Sequence, residues 1–210
     1  FWLSYIDALI KEKQFDVAKQ VIEQGKNQGV AGEKLNVLEG QIASINETEK
    51  IVSASPSQEQ LNSLLHHYQN GRLGDAEKLA LSITQEFPKH QFGWKMLAAL
   101  FGQSGRNSEA VNANQTAVAL SPQDAGAHNN LGITLNELGR LDEAVDSYKQ
   151  AIALKNDLAE VHYNLANTLK KLDRLDETEA SYKQAIALKP GYAEAHYNLG
   201  TTLQELGRLY

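Results

Sequence analysis

Six histidines are the first candidates for chemistry in this 210-residue chain, which has no cysteine. His128, His162 and His196 recur at an interval of 34 residues, and His66 stands beside His67. A shared metal would need ligand bonds of roughly 2 Å, whereas helices stacked as neighbours lie about 8–10 Å apart. The three repeated histidines are therefore read as packing residues at the leading core position of a repeated unit. His66 and His67 point in different directions around one helix, and no metal is assigned to them. Asp142, Glu143, Asp146, Glu177 and Glu179 fall at expected helix starts and exposed faces, where solvation and the helix dipole account for them. The lack of cysteine excludes a thiol nucleophile, a disulfide framework and Cys-ligated zinc. No glycine-rich phosphate loop, nucleophile elbow or metalloprotease helix occurs. The expectation is a non-enzyme with no catalytic residue, no metal and no cofactor.

A row of amides is the better signal. Asn130, Asn164 and Asn198 repeat two residues after the histidines. Asparagine is a mediocre residue inside a helix because its side chain competes for backbone hydrogen bonds, so three copies at one position invite a functional reading. Each amide offers donors and an acceptor and can pair with peptide groups whatever the side chains of the ligand. Flanking positions on the same helices carry Asn129, Tyr163 and Tyr197, then Ile133, Asn167 and Thr201, then Asn136, Lys170 and Gln204. The competing explanation is duplication, in which copied units share residues without any ligand.

The elements that hold these residues follow from internal repetition. Residues 125–158 align without gaps on 159–192, residues 193–210 begin a third copy, 91–124 fit the same frame, and 57–90 fit it more loosely. Gly71, Gly105, Gly139 and Gly207 share one position, with Asp173 as the fifth member, and Pro88, Pro122 and Pro190 share another. The glycine suits a left-handed residue ending a first helix, and the proline stops a second. Asp142 and Asp176 are expected to cap the second helices. Small residues recur where helices must approach: Ala98, Gly132, Ala166 and Gly200 on first helices, and Ala76, Ala110 and Ala144 on second helices. Glycine inside a helix costs about 1 kcal/mol relative to alanine, so Gly132 and Gly200 imply a steric reason. Thr178, in an alanine slot, predicts mild overpacking.

Residues 1–45 read as a divergent helical segment: a hairpin to about Gln28, a glycine-rich connection, then a helix from about Glu33 to Ile45. Residues 46–57, polar and containing Pro56, read as a linker. Ala18 and Ala76 are 58 residues apart, not a multiple of the repeat, so the register breaks here.

These residues resemble the tetratricopeptide repeat family. Trp94, Leu97, Ala98, Phe101, Ala110, Ala117 and Pro122 match its signature, with Asn114 in place of an aromatic and histidines at the leading aromatic position of the later copies. The resemblance covers about residues 57–210. It implies an all-α fold, a right-handed α-solenoid of 34-residue helix-turn-helix repeats, in which first helices line a concave groove. The units resemble those of O-linked N-acetylglucosamine transferase, whose asparagine ladder holds a substrate peptide's backbone. That carry-over is limited to Asn130, Asn164 and Asn198, because the preceding copy has Met96 in the ladder position.

The expected function is a binding module for an extended peptide or protein segment, with Asn129, Asn130, Ile133, Asn136, Tyr163, Asn164, Asn167, Lys170, Tyr197, Asn198, Thr201 and Gln204 lining the groove. Tyr163, Tyr197, Lys170 and Lys171 are expected to select side chains. A substrate-recruiting arm of a larger transferase and an assembly spacer are the alternatives. Twenty Lys and Arg against 26 Asp and Glu give a net charge of −6, which argues against nucleic acid or an anionic membrane as partner. The longest purely apolar run, Met96 to Phe101, is far short of the roughly 20 residues of a spanning helix. A soluble chain is expected, with the cytoplasm as the default compartment. Phe1 is no natural start, which leaves room for a removed targeting segment. The last unit stops before its second helix, leaving Leu199, Leu203 and Leu206 without that partner. A longer parent protein and end-to-end self-association through this half repeat are expected.

Overall fold

The computed structural model describes residues 2–12, 14–30, 32–52 and 55–208, and residues 16 and 43–52 through the backbone alone. Every regular element among them is an α-helix. The chain divides into two compact units, Phe1–Pro56 and Ser57–Tyr210.

In the first unit α1 (Trp2–Lys11) and α2 (Phe15–Asn27) form a hairpin against which α3 (Glu33–Val52) packs. Its core is Ile6, Leu9, Ala18, Val21, Ile22, Leu35 and Ile42. Gly25, expected in the glycine-rich connection, is buried in the last turn of α2, with the Trp2 ring 3.6 Å from where its Cβ would lie. Helix α3 also runs seven residues beyond Ile45, through much of the expected linker. The segment NETEKIV holds neither glycine nor proline, and Glu and Lys are good helix formers, so polarity alone does not end the helix. Ser53 and Ala54 of the expected linker lie outside the described residues, as do Phe1, Leu209 and Tyr210.

The second unit is built from α4 (Gln58–Gln69), α5 (Leu73–Glu86), α6 (Gln91–Gln103), α7 (Asn107–Leu120), α8 (Ala125–Glu137), α9 (Leu141–Leu154), α10 (Ala159–Lys171), α11 (Leu175–Leu188) and α12 (Ala193–Glu205). Each helix packs on the next, and α8 also touches α10. One turn recurs five times. The second residue after the first helix has positive φ (Gly71 70°, Gly105 73°, Gly139 77°, Asp173 58°, Gly207 66°). The amide three places past the helix returns to the carbonyl five residues earlier, as Arg140 N–H does to Leu135 at 2.9 Å. This is the Schellman arrangement, which satisfies carbonyls that the helix end leaves unpaired.

The turn is so short that the same arginine precedes the next helix. Arg140 and Arg174 occupy the cap positions of α9 and α11 and make no side-chain cap bond. Asp142 and Asp176 are therefore not caps. They sit inside the first turn, where a negative charge still favours the helix dipole. The arginines instead clamp a glutamate three residues on, Arg140 with Glu143 and Arg174 with Glu177. These pairs hold both carboxyls below their ordinary range, chiefly through the arginine hydrogen bond.

Packing between the paired helices depends on the small residues. A Cβ on Gly132 would lie 2.6 Å from Tyr148 Cε1. At Gly200 no atom lies within 4 Å, so the steric reason expected for both glycines holds at Gly132 alone. Thr178 is fully buried and its hydroxyl donates to the Arg174 carbonyl at 2.9 Å, so the slot takes the extra atoms by an internal bond.

Candidate functional site

The repeated histidines do not form a common core layer. His162 is buried, His128 half-buried and His196 exposed. Each Nε2 meets a backbone carbonyl six residues earlier: Pro122 at 3.0 Å, Asn156 at 3.2 Å and Pro190 at 2.9 Å. Trp94 Nε1 donates to Pro88 O in the same way at 2.8 Å. A carbonyl only accepts, so the histidines carry their proton on Nε2. Tryptophan and histidine share an N–H at the ring edge, which explains why either serves. The leading position is thus a clip between one repeat and the end of the previous one. His66 Nδ1 accepts from Arg72 at 2.8 Å. Among the described residues no group of three or more His, Asp or Glu is arranged to hold a metal.

The asparagine row is placed by the stacking of α8, α10 and α12. Asn164 Nδ2 donates to Asn129 Oδ1 at 3.4 Å. Asn198 Nδ2 donates to Asn167 Oδ1 at 3.2 Å and to the Tyr163 hydroxyl at 3.3 Å. In these bonds Asn164 and Asn198 spend Nδ2, and Asn129 and Asn167 spend Oδ1. Asn164 and Asn198 keep Oδ1 without a partner, and Asn129 and Asn167 keep Nδ2, among the described residues. Asn130 makes no side-chain bond there, while its backbone carbonyl accepts from Asn114 and Thr134. The Thr134, Thr168 and Thr202 hydroxyls each donate to the carbonyl of the ladder asparagine four residues earlier.

Several other expected site residues are committed to the fold. Lys170 Nζ pairs with Glu205 at 3.0 Å and with the Thr201 hydroxyl at 3.0 Å. Lys171 donates to Asn136 Oδ1 at 2.8 Å. Tyr163 stacks on Tyr192 with ring centroids 4.8 Å apart. Each of the three thus has a partner within the fold. Tyr197 is 74% exposed. Gln204 is exposed as well. Two clefts open along the first helices. One, of about 540 Å³, brings together Asn136, Asn167, Lys170 and Asn198 with Lys171 and Tyr182. The other, of about 260 Å³, holds Asn130 and Ile133.

The second cleft also contains Tyr68, Lys95 and Asn114, which sequence reasoning did not assign to the site. The available signal was Asn114 itself, standing where the following repeats have Tyr148 and Tyr182. Both tyrosines are buried. Burial, opposed by a bond with Asn198, pushes the Tyr182 phenol up to about 12, and its hydroxyl donates to Asn167 Oδ1 at 2.5 Å. At the start of α8, Asp124 accepts from Lys95 Nζ, Gln91 Nε2 and the Ala127 amide. Burial raises its carboxyl, but these three bonds outweigh that and hold it below the ordinary range.

The family model described as TPR repeat matches residues 100–139, 134–173 and 174–207, just over half of the chain. The chain belongs to the tetratricopeptide repeat family. The second unit, Ser57–Tyr210, has the right-handed α-solenoid fold of helix-turn-helix repeats. Among solved structures, MamA is 21% identical, with a TM-score of 0.66 over 68% of this chain and 84% of that one. YrrB, described as a TPR protein with an unusual peptide-binding site, is 17% identical, with a TM-score of 0.64 over 79% and 83%. The first TPR of Spaghetti (RPAP3), bound to the HSP90 peptide SRMEEVD, is 19% identical, with a TM-score of 0.55 over 56% and 93%. At these identities the likeness concerns the fold. No curated protein matches the chain. Tetratricopeptide repeats are scaffolds for protein interaction, and among the described residues no helix is long and apolar enough to cross a membrane.

Proposed function

We propose that the face formed by α8, α10 and α12 binds an extended peptide or protein segment through its backbone, and that the chain acts as an interaction module rather than a catalyst. The observation that carries this reading is the division of labour in the amide row. Asn164 and Asn198 are held by their own Nδ2 bonds with Oδ1 unspent, while Asn129 and Asn167 are held by Oδ1 with Nδ2 unspent. A peptide group presents one N–H and one C=O, so acceptors and donors fixed side by side suit it irrespective of ligand sequence. First helices about 10 Å apart match three residues of an extended chain rising about 3.3 Å each. The ladder asparagines would then meet every third peptide unit.

Tyr197 supplies an exposed ring for contact with a ligand side chain. YrrB and the RPAP3 domain lend support as peptide-binding proteins of this fold. The test is a selection of phage-displayed random dodecapeptides on the chain, followed by fluorescence anisotropy of the selected peptides. Replacing Asn164 and Asn198 together by alanine should weaken them about tenfold or more, since each lost bond is worth about 1 kcal/mol. Unchanged affinity with intact helicity would favour an assembly spacer instead. A transferase arm would bind peptides in the same manner and differ only in what is attached.

A further inference from the structure

The cleft beside Asn130 owes its existence to one substitution. In the α8–α9 and α10–α11 hairpins, the slot facing the small residue of the first helix is filled by Tyr148 against Gly132 and by Tyr182 in the cluster with Ala166. In the α6–α7 hairpin the small residue is Ala98 and the slot holds Asn114. An aromatic side chain buries roughly 150–250 Å², so asparagine leaves part of that space empty. The result is the cleft of about 260 Å³, walled by Ala98, Gly102 and Ile133.

Asn114 lies in that cleft at 1% exposure. Its Nδ2 donates to Thr134 Oγ1 at 3.2 Å and to Asn130 O at 3.3 Å. A backbone carbonyl cannot donate, so the amide is held in this sense and cannot be turned round. Its Oδ1 is buried without any partner. A buried acceptor left unmade costs free energy, which a donor entering the cleft would recover. Two further charges lie on the lining. Lys95 is already paired with Asp124 at 3.0 Å. Glu137 is exposed and makes no ion pair among the described residues.

We infer that this cleft is a side-chain pocket for a basic residue, arginine or lysine, of the bound segment: the aliphatic stem lies on Ala98 and Ile133, an N–H reaches Asn114 Oδ1, and the charge faces Glu137. The net charge of −6 favours approach of such a ligand. The inference deepens the groove reading and rests on it for the peptide, but the pocket is testable without one.

The experiment is an NMR titration of the ¹⁵N-labelled chain with three small probes. N-acetyl-arginine amide should give saturable shifts at the Asn114 side-chain amide, Ile133 and Glu137. N-acetyl-citrulline amide, nearly the same shape without the charge, should bind about fivefold more weakly, in keeping with about 1 kcal/mol for an exposed ion pair. N-acetyl-norleucine amide should give no saturable shift there. Asn114→Tyr fills the space with the residue that follows one repeat later opposite Gly132, and two repeats later in the cluster with Ala166. It should keep helicity and melting temperature and lose arginine-amide binding. Glu137→Gln should reduce the arginine response to the citrulline level. Absence of saturable shifts in the unaltered chain, equal binding of norleucine amide, or full binding by Asn114→Tyr would each overturn the pocket. Asn164→Ala with Asn198→Ala should leave these probes unaffected while weakening peptide binding about tenfold or more, so failure of the pocket and failure of the groove are separable.

Discussion

Gly132 faces the ring of Tyr148 so closely that a methyl group on it would come within 2.6 Å of Cε1 and 2.8 Å of Cδ1. The hairpin of α8 and α9 closes because one residue yields the space the other fills. The equivalent Gly200 on α12 has no atom within 4 Å of its would-be Cβ.

The two glycines should therefore respond in opposite directions to alanine. Gly132→Ala should destabilise by about 1–3 kcal/mol through overpacking. Gly200→Ala should stabilise by up to about 1 kcal/mol through helix propensity. Urea unfolding of both variants checks this, and a stabilising Gly132→Ala would contradict the packing described.

Asp173 tests the turn. It holds φ 58° where the other four copies use glycine. Asp173→Gly relieves the left-handed strain but loosens the unfolded chain, leaving a net gain of about 0.5 kcal/mol. Asp173→Val should cost about 1–2 kcal/mol, because a β-branched residue tolerates that conformation poorly. Thermal melts of the three proteins should rank Gly above Asp above Val.

Asp124 gives the chain an acid-sensitive repeat junction. Its carboxyl is depressed in the folded state because the bonds from Lys95, Ala127 and Gln91 outweigh burial. The stabilisation is complete above the unfolded value of about 3.9 and is lost as pH falls through the lower folded value. Asp124→Asn preserves an N-cap but removes this titration, so its stability should vary less between pH 5 and 2 than that of the unaltered chain. Asp124→Ala should cost about 1 kcal/mol at pH 7 through loss of the cap. Chemical denaturation across pH measures both.

The repeat was readable because glycine and proline punctuate it and because apolar residues return at helical spacing. Much less of the site was readable, for a physical reason. Lys170, Lys171 and Tyr163 look like ligand groups in sequence, but their partners Glu205, Asn136 and Tyr192 come from elements roughly one repeat away along the chain. Only stacking reveals that they are occupied. The histidines likewise read as core because the slot is aromatic elsewhere, whereas the shared feature is a ring N–H aimed at a carbonyl. Helix α3 outran its expected end because its polar stretch contains no residue that stops a helix.

Tyr197 is the exposed ring on the amide face. Tyr197→Ala should leave stability within about 0.5 kcal/mol, as for an exposed surface position. It should weaken a bound peptide by about 1–2 kcal/mol if the ring is an anchor. Anisotropy and a thermal melt on the same preparation separate the two effects.

The most direct measurement follows the side-chain amide signals of Asn129, Asn130, Asn164, Asn167 and Asn198 while a selected dodecapeptide is titrated in. A second titration uses the same peptide N-methylated at every third residue. Backbone recognition requires saturable shifts at these five amides and a large loss of affinity for at least one register of the methylated peptide. Shifts confined to other helices, or equal affinity for every methylated register, would contradict it.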